Sequence, residues 1–422
     1  MENNQQKQLV LLKAKSAKEA SKKLAIMNTE QKNNILLAMA FAIEKNIKEI
    51  LFHNEIDVQA AKEAGINNTL IDRLTLNEKR INEMAKSIKD IVLLQDPIGS
   101  LVEEISTSAN NIDVKKIRVS LGVVAMIYEA RPNVTVDATA LCLKAGNSII
   151  LKGGSEAINS NSILIKIISE AAVSIGMPEG AIQFIDTTDR SAVQELIHLD
   201  NLIDLLIPRG SNDLIQFIKA HSLIPVLSHG TGLCHTYIDE SADIDMAIRI
   251  ALNAKCQRPF VCNSIETLLV HKNIAEKVLP ELCKLYTEAG VEIRGCSITK
   301  NIIPSVKDAQ KEDWSTEYLD LKISIKIVNS LEEAIEHINE YGSKHSEAII
   351  TSDREKANKF IAEIDAAAVF VNASTRLHDG GVLGLGCEIG ISTQKLHARG
   401  AMGLKELTTT KYVVQGSGAI RN

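Results

Sequence analysis

Apolar positions along the first hundred residues recur at intervals of three and four, as they do on one buried face of a helix. The clearest stripe is Ile81, Met84, Ala85, Ile88 and Val92, behind Asn77, whose short polar side chain suits an N-cap. The segment carries little chemistry, and its expected role is packing. Asp96-Pro97-Ile98-Gly99 then reads as a turn. Residues 112–120 alternate apolar and charged positions like a half-exposed strand, one open to pairing with a second subunit.

From Gly122 the rhythm changes to short apolar runs separated by helical patterns. The runs are 123–127, 148–151, 182–185, 202–207 and 224–227; a helix reaching Lys144 is closed by Gly146, and another spans 155–175. Alternation of this kind predicts βαβ units and a parallel sheet with helices on both faces. Such sheets bind dinucleotides at the carboxyl ends of their strands, although no G-x-G-x-x-G follows the first strand here. A second α/β unit runs to about residue 400, with helices at 274–289 and 330–339, and the tail 407–414 is β-prone.

Between the two units stands NAKCQRPFVCNSIETLLVH, residues 253–271. Ala242, Met246, Ala247 and Ile250 recur at helical spacing, Arg258 and Pro259 break the helix, and 265–270 reads as a strand, so Cys262 falls in a short loop between helix and strand. A thiol there is a nucleophile candidate; at its ordinary pKa of about 8.5 cysteine is only slightly ionised at neutral pH, and the thiolate is the reactive form. The alternative for any single cysteine is a small buried hydrophobe.

At 422 residues, with 45% hydrophobic and 24% charged residues, the chain predicts a soluble globular protein of two or three domains. A net charge of −6 without a long basic run argues against nucleic-acid or anionic-membrane surfaces. The N-terminus shows no signal-peptide pattern, no apolar run reaches membrane-span length, and seven cysteines without a CxxC pair suit a reducing compartment, so a cytoplasmic location is expected. His229, Cys234 and His235 lie close together, but their spacing fits no common structural zinc site, and no metal is expected.

The segment V-C-N-x-x-E-T-L-L-V-H resembles the active-site segment of the γ-glutamyl phosphate reductases, a phosphate-dependent branch of the aldehyde dehydrogenase superfamily. IYEARPNVTVDATALCLKAGN from Ile127, LIPRGSNDLI from Leu206, DWSTEYLDL from Asp313, VNASTRLHDGG from Val371 and the following GLGCEIGISTQKLHARG are similar to the same family, in one order along nearly the whole chain. Leu377 and Ala401 depart from the family's usual phenylalanine and proline, which bears on pocket shape but removes no reactive group.

The resemblance implies an α/β, aldehyde dehydrogenase-like fold. Its parts would be a Rossmann-type NADPH-binding domain (1–108 and 122–254), a second α/β catalytic domain (255–402) and a small β oligomerisation element (109–121 and 403–422), the tail pairing with the hairpin near residue 115 across a subunit interface. It implies Cys262 as nucleophile and Asn133 as oxyanion donor, although asparagine could equally cap a helix beginning at Val134. For the cofactor it implies Lys152 at the adenosine ribose, Gly210 and Ser211 near the nicotinamide, and Glu317 on the nicotinamide ribose. Gly153, Gly154 and Ser155 would leave room and donors for the 2′-phosphate of NADPH. Taken singly, each is open to a plainer reading as strand-end charge, turn or cap.

The implied substrate is L-glutamyl 5-phosphate. Its anionic groups call for Arg131, Arg258, Arg376 and Arg399, and its ammonium for Asp137 or Glu388, with surface ion pairs as the alternative for all six. The segment 227–232 has no carboxylate where hydrolytic aldehyde dehydrogenases carry the glutamate that activates water. His229 and His235 could assist proton transfer or contact phosphate, but the expected role of each is structural. The expected activity is NADPH-dependent reduction to L-glutamate 5-semialdehyde and phosphate in proline biosynthesis, by a homo-oligomer (dimer or tetramer) that glutamate 5-kinase could supply. The rival readings are a hydrolytic aldehyde dehydrogenase and a catalytically silent dinucleotide-binding scaffold.

Overall fold

The structure, a computed structural model, describes residues 2–107, 112–228 and 230–421. The chain forms two compact units, one made of Met1–Ser228, Leu385–Ile389 and Met402–Asn422, the other of His229–Gly384 and Gly390–Ala401.

The first unit opens with helices α1 (Glu2–Leu24), α2 (Thr29–Lys45), α3 (Ile47–Glu63), α4 (Asn68–Leu74) and α5 (Glu78–Leu93). The Asn77 side chain accepts a hydrogen bond from the Arg80 amide at 2.8 Å and so caps α5. Its stripe buries Ile81, Met84, Ala85 and Ile88 as expected, but Ile91 completes it and Val92 is only half-buried.

Two strands follow, β1 (Leu101–Thr107) and β2 (Ile112–Ser120), and then the βαβ part: β3 (Val123–Tyr128), α6 (Pro132–Lys144), β4 (Ser148–Gly153), α7 (Ile158–Val173), β5 (Ile182–Phe184), α8 (Ser191–Leu196), β6 (Leu205–Arg209) and α9 (Asn212–His221). Gly146, at φ +73°, takes the left-handed position that ends α6. The strands form a parallel sheet in the order β5-β4-β3-β6. Every residue of β3 and β4 is buried, as a sheet covered on both faces requires. Val10, Ala14 and Ala17 of α1 share one core with Ala125, Ile127, Ile150, Leu206 and Ile218. Residues 224–227 are not a strand: they contribute one parallel bridge, Leu206 to Val226.

The C-terminal strand was expected to pair across a subunit interface. In this structure β16 (Thr408–Gly416) runs antiparallel to β2 of the same chain, and β1 pairs with the other side of β2. Both hydrogen-bonding edges of β2 are thus filled from within the chain, and only the outer edges of β1 and β16 are left at the ends of this sheet.

The second unit is built on a parallel sheet in the order β10-β9-β11-β8-β7-β12-β13. Its strands and helices are β7 (Cys234–Ile238), α10 (Ile244–Cys256), β8 (Ile265–His271), α11 (Lys272–Glu288), β9 (Glu292–Gly295), α12 (Ser297–Ile302), β10 (Lys307–Asp308), β11 (Lys322–Val328), α13 (Leu331–Tyr341), β12 (Ser346–Ile350), α14 (Arg354–Glu363) and β13 (Ala368–Val371). The short pair β14 (Ile391–Ser392) and β15 (Gly400–Ala401) closes it. One core joins α10 and α11 to β8, β9 and β11; another joins α13 and α14 to Tyr237, Leu269 and Ile349. Strand β7 and helix α10, expected in a nucleotide domain ending at 254, lie in the second unit, where β7 pairs with β8 and β12. No helix among the described residues is long and apolar enough to cross a membrane.

Candidate active site

Cys262 lies half-buried in the loop between α10 and β8. The loop is held from several sides. Gly232 lies so close that a Cβ there would strike the Cys262 backbone, and the thiol of Cys234 donates to the Cys262 carbonyl at 3.1 Å. The Thr375 hydroxyl donates to the Asn263 carbonyl at 2.7 Å, and the Asn263 carboxamide donates to the His378 carbonyl at 3.0 Å. At its base the ammonium of Lys255, on the last turn of α10, meets the carboxylate of Glu266, on β8, at 2.7 Å with both side chains fully buried. The competing cysteine, Cys256, is the last residue of α10, and burial pushes its thiol up.

Two of the expected cations stand beside this loop. Arg376 donates through Nε to Gln257 at 2.9 Å and through its guanidinium to the Asn263 carboxamide oxygen. Burial and then the charge of Arg258 lower the Arg376 pKa, while negative charge on Asp379 and, after it, on Cys262 opposes that shift. A guanidinium held against this loop suits a bound phosphate. Arg399 pairs with Asp365 at 2.8 Å, a carboxylate that Lys395 and Lys344 also contact. The Glu317 carboxylate accepts from the Gly232 amide at 2.7 Å, and burial raises its pKa. Glu317 is thereby joined, through Gly232, to the backbone of the nucleophile loop.

His229 lies outside the described residues. His235 is fully buried on β7, its ring Nδ1 at 3.0 Å from Glu347, which is a structural placement.

In the first unit, α6 begins at Pro132, with Arg131 in the N-cap position and no side-chain cap bond. Asn133 is therefore inside the first turn and is not the cap that the sequence allowed; proline at the first helical position moves the start forward by two residues. The exposed Asn133 carboxamide donates to Asp137 at 3.2 Å, one turn along, and Asp137 also accepts from Ser87 at 2.8 Å. Burial raises the Asp137 pKa. The Ser87 hydroxyl lies 3.7 Å from the thiol of Cys387, and Glu388 follows it, half-buried.

At the carboxyl end of β4, Lys152 is buried within the strand rather than beyond it; its ammonium donates to the Gly153 carbonyl at 2.7 Å, and burial lowers its pKa. The room expected at 153–155 is partly taken. A Cβ on Gly153 would meet the Asn161 carboxamide, and one on Gly154 the Glu156 carboxylate. Ser155 starts a 3₁₀ turn, Ser155–Ala157, and is exposed. Gly210 and Ser211 precede α9 as expected, but the Ser211 amide is bound by Glu129 at 2.7 Å.

Sequence reasoning missed both of these carboxylates. Glu129 holds the start of α9, and Glu156 accepts from the Ala130 amide at 2.5 Å, Ala130 being at φ +41°. It also missed Gly232, Cys234 and the Lys255–Glu266 pair. The acidic residues do stand inside the motifs EARPN, KGGSEA and CNSIE, so the signal was present, but pairing across the fold is not written in a linear motif.

The aldehyde dehydrogenase family model matches residues 3–319. The γ-glutamyl phosphate reductase of Halothermothrix orenii is 54% identical over 415 residues, spanning 98% of this chain and 99% of the relative. That of Thermodesulfovibrio yellowstonii is 54% identical over 415 residues, with the same coverage. The crystal structure of γ-glutamyl phosphate reductase from Thermotoga maritima superposes with a TM-score of 0.96 at 47% identity, covering 98% of this chain and 100% of that one. With Cys262 on its helix-to-strand loop and agreement of this extent, the chain belongs to the aldehyde dehydrogenase family, in its γ-glutamyl phosphate reductase branch.

Proposed function

We propose that this chain reduces L-glutamyl 5-phosphate to L-glutamate 5-semialdehyde and phosphate, the second step of proline synthesis from glutamate. The observation that carries the reading is the nucleophile loop, which holds Cys262 and Arg258 and against which Arg376 is bound through Gln257 and Asn263, in a chain more than half identical to γ-glutamyl phosphate reductases along nearly its full length. In this reading the Cys262 thiolate attacks the acyl carbon, a C–S bond forms, the C–O bond to phosphate breaks, and phosphate leaves with Arg258 and Arg376 balancing its charge. The Asn133 carboxamide donates to the oxyanion of each tetrahedral species. A bound nicotinamide cofactor supplies the hydride that reduces the thioester. Cys262 then leaves as thiolate when the C–S bond breaks, releasing the aldehyde. Arg131 is proposed to meet an anionic group of the substrate, and Asp137 or Glu388 its ammonium.

The cofactor assignment rests on chain residues that fit it. Lys152 is a buried ammonium with donors beyond the one given to Gly153, Glu317 is a half-buried carboxylate held by the Gly232 amide, and Gly210 and Ser211 open a helix at the end of a parallel strand. NADPH is the proposed form, with the exposed Ser155 as a donor to its 2′-phosphate. The Glu156 carboxylate beside Gly154 favours a second reading, NADH, since a carboxylate there repels phosphate and suits a ribose hydroxyl. Comparing kcat/KM for the two cofactors in wild type and Glu156→Gln separates them: a preference for NADPH in wild type upholds the first reading, and a preference for NADH that Glu156→Gln weakens upholds the second.

The division of labour follows the same reading, with the first unit holding the nucleotide and the second the nucleophile. Homo-oligomer formation and delivery of the labile acyl phosphate by glutamate 5-kinase belong to it as well; exposed Leu101, Val102, Tyr412 and Val414 on the outer strands β1 and β16 are the surfaces that support assembly. The direct test is reverse turnover: semialdehyde and NADP should yield NADPH steadily only when inorganic phosphate is present. Equal steady rates without phosphate would favour the hydrolytic rival.

A further inference from the structure

We infer that Glu266, paired with Lys255, is a positioning residue that sets the location of Glu317, and thereby governs cofactor affinity from beneath the nucleophile loop. The inference rests on the reading of Glu317 as a cofactor-holding residue. Glu266 and Lys255 are both at 0% exposure and 2.7 Å apart. A buried ion pair is a weak contributor to stability, since desolvation offsets much of the attraction, so its presence asks for another reason.

The reason is visible in the other carboxylate oxygen. Glu266 Oε1 accepts a hydrogen bond from the Leu319 amide at 3.2 Å. Leu319 sits at φ +48°, a left-handed conformation that a leucine adopts only when its surroundings impose it. Two residues earlier, Glu317 accepts from the Gly232 amide, and Gly232 packs against Cys262. One carboxylate thus ties the last turn of α10, the start of β8 and the strained segment 317–319 together. Burial pushes Glu266 up to about 7, with the charge and hydrogen bond of Lys255 opposing that shift.

The test uses the full-length protein and reads KM for the cofactor against kcat and thermal midpoint. Glu317→Gln is measured first and should raise the cofactor KM about tenfold or more, as expected when a ligand-positioning contact is lost. Two double variants then remove both buried charges, so that neither leaves an unpaired ion. Lys255→Met/Glu266→Gln keeps an acceptor for Leu319, and its cofactor KM should stay within about twofold of wild type. Lys255→Met/Glu266→Leu removes the acceptor and should raise the cofactor KM about tenfold, at a thermal midpoint close to that of the Gln double variant.

If both doubles share the wild-type KM while Glu317→Gln raises it, the pair is only structural and the inference falls. If both doubles raise KM alike, the Leu319 contact is not the cause and the inference falls. If Glu317→Gln leaves KM unchanged, the cofactor reading of Glu317 itself is wrong, and the inference falls with it.

Discussion

At the scale of single residues, the division between Cys262 and Cys256 is the sharpest claim. Cys262→Ala should abolish turnover while leaving cofactor binding near normal, whereas Cys256→Ala, which removes a half-buried thiol at a helix end, should keep most activity. Rates and cofactor titration of the two variants decide it, and exchanged phenotypes would move the nucleophile to Cys256. Asn133 makes a second test. As an oxyanion donor it is worth roughly 3 kcal/mol in the transition state, so Asn133→Ala should lower kcat by about a hundredfold with little change in KM. Because Asn133 sits inside the first turn of α6 and bonds Asp137, loss of a helix cap no longer explains any effect it has. A variant with normal kcat would return Asn133 to a local role in holding Asp137.

At the scale of elements, α13 carries a titration. His337 is buried on this helix against Trp314, Tyr341 and His235, its Nδ1 accepting from Lys326 at 3.3 Å, and burial holds its pKa down to about 3. His378, beneath the nucleophile loop, is held down to about 4 by burial. Both folded values lie below the ordinary 6.5. As pH falls through 6.5 the unfolded chain takes up protons that the folded chain refuses, so stability is complete above that value and is lost below it. Each histidine contributes a slope of about 1.4 kcal/mol per pH unit, ending at its folded pKa. The apparent unfolding midpoint should therefore drop between pH 6.5 and 5, and His337→Phe, which keeps a ring in the cluster, should flatten the drop. An unchanged slope in that variant would show that other groups titrate there.

At the scale of the whole molecule the decisive behaviour is what the enzyme cannot do. Segment 227–232 supplies no carboxylate to activate water. Oxidation of the semialdehyde without phosphate should therefore stop after about one turnover per Cys262, with the acyl-enzyme left standing. Mass measurement of the stalled protein should show a glutamyl group on the peptide containing Cys262, and added phosphate should release it. Continued formation of free glutamate would mean that another group in the chain activates water.

The sequence alone determined the local elements and the reactive type. The period of its apolar residues specified α5, the βαβ rhythm and the loop of Cys262, because helix, strand and breaker signals act within a few residues of one another. Ordered motifs specified the family for the same reason, being contiguous. What only the tertiary structure decided depends on partners distant in the chain. The tail strand β16 fills an edge of β2 in the same chain, Arg399 pairs with Asp365, and Glu156 stands in the turn expected to be open. Glu266, Leu319, Glu317, Gly232 and Cys262 form one connected group only after two strands and a helix end converge. Hydrogen bonds and ion pairs are short-ranged, so which charge meets which amide is settled by the packing of the sheet, and linear spacing carries no record of it.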